Sequence, residues 1–282
     1  MIKGYCDPKF QNVYDAFANS IKSEFETGAA LAIEHQGNMI VNLWGGHQDA
    51  QKTKAWEENT LVNVFSVTKG VTATCISRLI DQGKLDPGKR VGYYWPEYSC
   101  NGKEDTKVSD LLCHRAAMFG FKEGIPLGSF QDWNKFIQQL QLQTPYRKPG
   151  ISQGYHALTF GWLVGELIRR VDGRSVGQYF KEEIAEPLNI DFHIGLDEID
   201  FIRCADMLMI ERDSMQLPGQ FLRYVPSFLL PQRLKNFKTA LISGDFLEAF
   251  QERDDDDTNC LLYTSDAADE GLGVDLGGRR II

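Results

Sequence analysis

The sequence predicts an α/β (α+β) fold, in which an antiparallel sheet flanked by helices carries a helical lobe. Two observations lead there. Apolar runs on either side of Gln36-Gly37-Asn38 read as a β-hairpin, roughly 29 to 35 and 39 to 45, because Gly and Asn tolerate the positive φ of a tight turn. Apolar residues then recur with a helical period from Ser66 to near Pro187, with Pro and Gly as the interruptions.

Taken in order, Phe10, Val13, Tyr14, Phe17 and Ile21 form the stripe of an amphipathic helix over 10 to 25. The hairpin follows, and Trp44-Gly45-Gly46 at its end fits strand packing and a bulge. From Ser66, residues Val67, Val71, Cys75, Leu79 and Ile80 line one side of a largely buried helix that Gly83 stops. Residues 85 to 98, rich in Pro, Gly and aromatics, read as a loop. A short helix at 108 to 114 and a longer amphipathic one at 130 to 142 come next. Pro149-Gly150 breaks the chain, and two helices follow, LTFGWLVGELIRRV and VGQYFKEEIAEPL, separated by Asp172-Gly173. Residues 190 to 196 read as a short strand. Beyond about 210 the pattern weakens, with Pro218, Pro226 and Pro231 and an acidic run at 254 to 257.

Composition narrows the function. The 282 residues are 43% hydrophobic and 24% charged, enough to bury a core and unlike disordered or collagen-like chains. No apolar run reaches the ~18 residues of a spanning helix, and the opening residues lack a secretory apolar region, so a cytoplasmic location is expected. A balance of 30 basic against 39 acidic residues, net −9, disfavours nucleic-acid and membrane partners. The basic group Arg169, Arg170 and Arg174 reads as a solvated helix end. Six cysteines without C-x-x-C pairs or a histidine at zinc-ligand spacing read as free thiols, with no metal and no cofactor expected.

The chemistry centres on Ser66-Val67-Thr68-Lys69. This spacing puts the lysine amine one helical turn beyond the serine hydroxyl, on the same face, and the helix start offers a favourable field and backbone N–H groups for an oxyanion. Alone it says little, since roughly one such spacing arises by chance in a chain this long. Its surroundings say more. The segment TLVNVFSVTKGVTATCISRLIDQGKLD resembles the nucleophile region of the serine β-lactamase-like family, the penicillin-recognising fold. GAALAIEHQGNMIVNLWGGHQDA is similar to that family's first two strands, KVSDLLCHRAAM to its L-L-x-H turn, and PGISQGYHALTFGWLVGELIRRVDGRSVGQYFKEEIAEPLNIDFHIGL to its tyrosine motif and the two helices after it. The resemblance spans about residues 27 to 209 and is nearest the class C-like esterase and β-lactamase-domain serine hydrolase branch.

The resemblance implies a β-lactamase/transpeptidase-like fold and an acyl-enzyme hydrolase of small carboxylic esters. Ser66 would be the nucleophile, Lys69 its base, and Tyr155 the second base and acid. His156 is a candidate substrate contact, and His114 in the turn is expected to pack and hydrogen-bond. Ala157 stands where the tyrosine motif of antibiotic-recognising members has Asn, which favours simple esters or small amides over β-lactams. Ala117 stands where the turn has Gly, so the backbone differs there or carries strain. A D-amino-acid or small-amide peptidase, a β-lactamase, and a non-catalytic scaffold or assembly protein of the same fold are the alternatives. The partner in every enzymatic case is a small ester or amide.

The last 23 residues read differently. Back-translated, residues 260 to 270 resemble a transposase-end adapter used in short-read sequencing, and residues 274 to 282 resemble the flow-cell primer that follows it. Gly271 to Gly273 occupy the place of the index between them. The expectation is therefore an incomplete β-lactamase-like serine hydrolase domain at 1 to 259, with a helical lobe at about 70 to 190, and a non-native tail at 260 to 282. The family's third motif, which supplies the second oxyanion N–H, is absent, so the fragment as given is expected to be inactive.

Overall fold

A computed structural model describes residues 1–123, 132–208 and 229. Expectations for the proline-containing stretch beyond 210, the acidic run and the tail lie outside them. The described residues fall into two compact units, one made of residues 1–63 with 197–208, the other of residues 64–196.

The first unit is a three-stranded antiparallel sheet with one helix. Strands β1 (Ile2–Cys6), β2 (Gly28–His35) and β3 (Asn38–Gly46) pair in the order β1-β3-β2, and α1 (Gln11–Lys22) lies between β1 and β2 in sequence. The hairpin matches its sequence signal to within a residue. β1 was not foreseen, because five residues interrupted by Gly4 carry no legible alternation. Gly4 sits at φ 104°, where a β-carbon would lie 2.0 Å from the Asn42 carbonyl oxygen of β3, so only glycine allows this pairing. The bulge expected near Gly45-Gly46 lies instead at the turn end of the hairpin. There the register shifts between Ile33 and Glu34, opposite Val41 and Met39. Gly45 is needed for another reason: β1 crosses it so closely that a β-carbon would lie 3.1 Å from the Ile2 Cα. The apolar face of α1 covers the sheet through Phe17, packed with Val41 and Leu43 and ringed by Val13, Tyr14, Ile21 and Leu31. Residues near 204 return to this unit. The Leu61 amide bonds the Arg203 carbonyl at 2.9 Å, and the Leu61 carbonyl accepts from the Ala205 amide at 2.8 Å.

The second unit is helical. It contains α2 (Val67–Asp81), α3 (Val108–Leu112), α4 (Trp133–Leu142), α5 (Thr159–Asp172) and α6 (Val176–Phe180). The last of these continues through a π-turn at Lys181–Ala185 into a final turn at Glu186–Leu188. At the end of α2, Gly83 at φ 68° lets its amide reach the Ile80 carbonyl while the Lys84 amide reaches Leu79. Helix α5 is buried along its first ten residues, and Trp162 packs on Phe136 and Phe121 at ring separations of 4.5 and 5.4 Å. The strand expected at 190 to 196 is not formed: the chain leaves the final turn through Asn189 at φ 52° and runs on without a ladder partner among the described residues. The basic group does end α5, with Arg169 and Arg170 exposed, and its arginines also hold ion pairs. Arg170 bridges Glu166 and Glu97 at 2.8 and 2.7 Å, and Arg174 joins Asp172, Glu182 and Glu183. Among the described residues no helix is long and apolar enough to cross a membrane.

Candidate active site

Ser66 is the residue before the first turn of α2, and the chain enters it through Phe65 at φ 47°. This left-handed residue turns the backbone sharply, a conformation that costs a non-glycine residue about 1–2 kcal/mol. Lys69 lies one turn on, 7% exposed, and its Nζ donates to Ser66 Oγ at 3.4 Å and to the Ala157 carbonyl at 2.9 Å. The S-x-x-K spacing thus does bring amine and hydroxyl together, while a carbonyl from a distant segment fixes the amine.

Tyr155 arrives from that segment. Its Oη donates to Ser66 Oγ at 2.7 Å, shorter than the Lys69 contact, and the residue is 42% exposed. Lys69 Nζ lies 5.5 Å from the centre of the Tyr155 ring and 5.9 Å from that of Phe160. One hydroxyl therefore faces both an amine and a phenol.

No helix or strand holds Tyr155. A lattice of hydrogen bonds between the 114–118 turn and residues 146–157 does so. The Tyr146, Gly150 and Gly154 amides donate to the Ala117, Arg115 and His114 carbonyls, each at 2.9 Å. Thr159 Oγ1 donates to the Met118 carbonyl at 2.5 Å. Two arginines brace the intervening loop, Arg147 to the Ser152 and Gln153 carbonyls at 3.3 and 2.6 Å, and Arg115 to the Gly150 carbonyl. Ala117 takes φ 57° and is fully buried, so the strained alternative at that position is the one realised.

His156, expected as a substrate contact, is instead enclosed. Its exposure is 0%, its Nε2 accepts from the Met118 amide at 3.1 Å, and its Nδ1 lies 2.7 Å from the Gly154 carbonyl. Both ring nitrogens are spent on backbone, so the ring ties loop to turn and presents nothing to a ligand. Burial, then the neighbouring His114, pushes its pKa down to about 3. His114 packs and hydrogen-bonds as expected, but directly beside the cluster. Its ring lies 4.8 Å from that of Tyr155 and 5.2 Å from Phe160, and its Nδ1 accepts from the His156 amide at 3.2 Å. Burial, with the Lys69 charge adding to it, pushes the His114 pKa down to about 4.

The oxyanion expectation needs one correction. The Val67, Thr68 and Lys69 amides already bond the Val64, Phe65 and Ser66 carbonyls at 3.0–3.2 Å, so the helix start does not offer a row of free donors. Among the described residues the Ser66 amide has no acceptor, which leaves it as the donor this turn presents. Ala157 contributes its carbonyl to Lys69 while its methyl group is buried. Among the described residues no group of three or more His, Cys, Asp or Glu side chains could hold a metal ion. Sequence reasoning missed the strained Phe65 and the place of His114 beside the phenol. Positive φ at a non-glycine residue leaves no mark in a single sequence unless the residue is Asn or Asp.

Known proteins resemble the chain in sequence and in fold. The chain is 38% identical over 208 residues to the esterase/beta-lactamase LipL of Mycobacterium tuberculosis, an overlap of 73% of this chain and 48% of that protein. A solved family VIII carboxylesterase superposes with a TM-score of 0.73 at 36% identity, over 86% of this chain and 62% of that one. A penicillin-binding protein homolog from Caulobacter crescentus superposes with a TM-score of 0.71 at 33% identity, over 77% and 62%. The chain thus spans about half to three fifths of the length of the proteins it matches. The beta-lactamase family model matches residues 16–227, well over half of the sequence, and the chain belongs to that family.

Proposed function

We propose that the protein is a serine hydrolase acting on small carboxylic esters through an acyl-enzyme on Ser66. The observation that carries this reading is the convergence on one Oγ of a phenol at 2.7 Å and an amine at 3.4 Å. In the proposed reaction Ser66 Oγ attacks the ester carbonyl carbon while its proton passes to the Lys69 and Tyr155 pair. The Ser66 amide, with a second donor expected from outside the described residues, receives the oxyanion. Collapse breaks the bond to the alcohol oxygen, which takes the proton back from Tyr155. Water then attacks the acyl carbon, yields its proton to the same pair, and frees the acid and Ser66.

The buried methyl group at Ala157 favours simple esters over β-lactams, since it offers no amide to a substrate side chain. A peptidase acting on D-amino-acid or other small amides is the second reading, favoured by the likeness to a penicillin-binding protein homolog. A non-catalytic scaffold is less well supported, because nothing structural requires three reactive groups within hydrogen-bond reach. The cytoplasmic location expected from the sequence belongs to the same proposal.

The test uses the protein encoded by the full reading frame. A fluorophosphonate should label Ser66, and a p-nitrophenyl ester should turn over faster than a D-alanyl amide. Replacement Ser66→Ala should abolish labelling and lower kcat by at least about 10³-fold. An adduct located on another residue, or unchanged labelling in the alanine variant, would remove Ser66 from its role.

A further inference from the structure

His114 carries a role that burial alone does not require. The two histidines are locked in complementary tautomers by their backbone partners. His156 Nε2 faces the Met118 N–H, so the His156 proton sits on Nδ1 and points to the Gly154 carbonyl. His114 Nδ1 faces the His156 N–H, so its own proton sits on Nε2. Protonating either ring would set an N–H against a backbone N–H and break the hydrogen bond that closes the lattice. The same His114 accepts the Gly154 amide on its carbonyl, at 2.9 Å. Residue 114 thus grips the chain on both sides of Tyr155, through its carbonyl to 154 and its ring to 156.

The ring held this way is the one packed on Tyr155. Tyr155 and His156 from the loop, Phe160 from α5 and Lys69 from α2 surround it. His114 also sits at φ 56°, in the left-handed region that histidine visits more readily than most non-glycine residues.

We infer that His114 is a positioning residue for Tyr155: its imidazole, latched to the His156 amide, backs the phenol ring and holds the hydroxyl on Ser66. The inference rests on the hydrolase reading for what the positioned phenol does, and on geometry alone for the latch.

Two measurements test it separately. The rate constant for fluorophosphonate labelling, counted per labelled Ser66, should fall ~10²-fold in His114→Ala, as a misplaced proton acceptor demands. His114→Asn retains an acceptor near the Nδ1 position and suits positive φ, so its rate constant should fall between alanine and wild type. The final labelling stoichiometry should stay near one per chain in both variants. Equal rate constants in all three proteins, or a loss confined to the labelled fraction, would overturn the positioning role. Independently, ¹⁵N-histidine NMR of the wild type near neutral pH should show His114 protonated on Nε2 alone. A His114 imidazole protonated on Nδ1 would overturn the latch whether or not Ser66 reacts. Absence of wild-type labelling at Ser66 together with the expected tautomer would instead sink the hydrolase reading and leave the latch standing.

Discussion

The helix-borne and loop-borne parts of the candidate site are built by different physics. Ser66 caps α2 and Lys69 lies in its first turn, so their separation follows from the rise and turn of that helix and four consecutive residues define it. Tyr155 depends on residues more than thirty positions away. It lies in an extended stretch held by the 114–118 turn, two arginines and a pair of neutral histidines. The spacing of the helix-borne pair is internal to the chain, although the Ala157 carbonyl also holds the Lys69 amine from outside. The loop-borne part is only as exact as the contacts that clasp it, and perturbations of equal size should act unequally on the two.

A matched pair of substitutions shows this most strongly. Gly154→Ala puts a methyl group 2.7 Å from Arg147 Nη2 and 3.0 Å from the Phe119 ring. The guanidinium cannot retreat freely, since it bonds the Ser152 and Gln153 carbonyls and lies over that same ring. Overpacking of this kind costs about 1–3 kcal/mol, and because it strikes the residue before Tyr155, the labelling rate at Ser66 should fall with the melting temperature. Gly70→Ala, one residue past Lys69 on α2, meets nothing within 4 Å. A helical alanine there should stabilise by about 0.5–1 kcal/mol and leave labelling unchanged. Thermal melts and labelling rates of the two variants decide the matter, and equal behaviour would show that the loop is no more tightly specified than the helix.

The same division governs what the sequence disclosed. Helices α2 and α5 and the β2–β3 hairpin were legible because each is a local pattern, a period of 3.6 or a turn dipeptide between apolar runs. The Ser66–Lys69 spacing was local too, but it became a candidate only through the family resemblance around it, as did Tyr155. What stayed hidden depends on partners distant in sequence. β1 exists because β3 passes beside it and Gly4 permits the approach. The stretch at 190 to 196 had suitable residues but takes no strand conformation among the described residues. His156 looked like a ligand contact because a histidine beside a reactive tyrosine is chemically suggestive. Its enclosure follows from the Met118 amide and the Gly154 carbonyl, which no local pattern reveals. The ion pair at the end of α5 was hidden for a similar reason, since Glu97 lies 73 residues from Arg170.

Acid should attack the loop-borne part next. His156 ordinarily titrates near 6.5 but is held down to about 3 in the folded chain, and His114 is held to about 4. Between these values and 6.5 the unfolded chain binds protons that the native chain does not, so stability rises with pH across that window. Their contribution is complete above 6.5 and is lost as the pH falls below it. For His156 the slope approaches about 1.4 kcal/mol per pH unit. Carboxylates held below their ordinary values of 3.8 and 4.5 by arginine, such as Asp172 and Glu183, act on stability chiefly below pH 5, under the range in which the histidines are followed. Melting temperatures measured from pH 7 to pH 5 should therefore decline, and replacing His156 with Gln, which keeps a polar group without a titrating proton, should flatten the decline. An equal slope in the variant would assign the acid sensitivity elsewhere.

The smallest expected effect is at Ala117, where three terms nearly cancel. The residue holds φ 57°, and a non-glycine residue in that conformation carries about 1–2 kcal/mol of strain. Ala117→Gly would release it. Against this, glycine widens the unfolded ensemble by about 0.4–1 kcal/mol, and the methyl group is fully buried, so removing it forfeits about 0.8 kcal/mol of apolar burial. The net change in stability should stay within about 1 kcal/mol. The Ala117 carbonyl, which holds the Tyr146 amide at 2.9 Å, is common to both residues. The lattice that positions Tyr155 therefore survives the exchange, and the labelling rate of Ser66 should change less than about threefold, an amount equivalent to under 1 kcal/mol. Chemical denaturation and labelling of the one variant test both halves of this statement. A large loss of labelling with unchanged stability would mean that the β-carbon of Ala117 itself supports the loop, and that the turn works through its side chains as much as through its backbone.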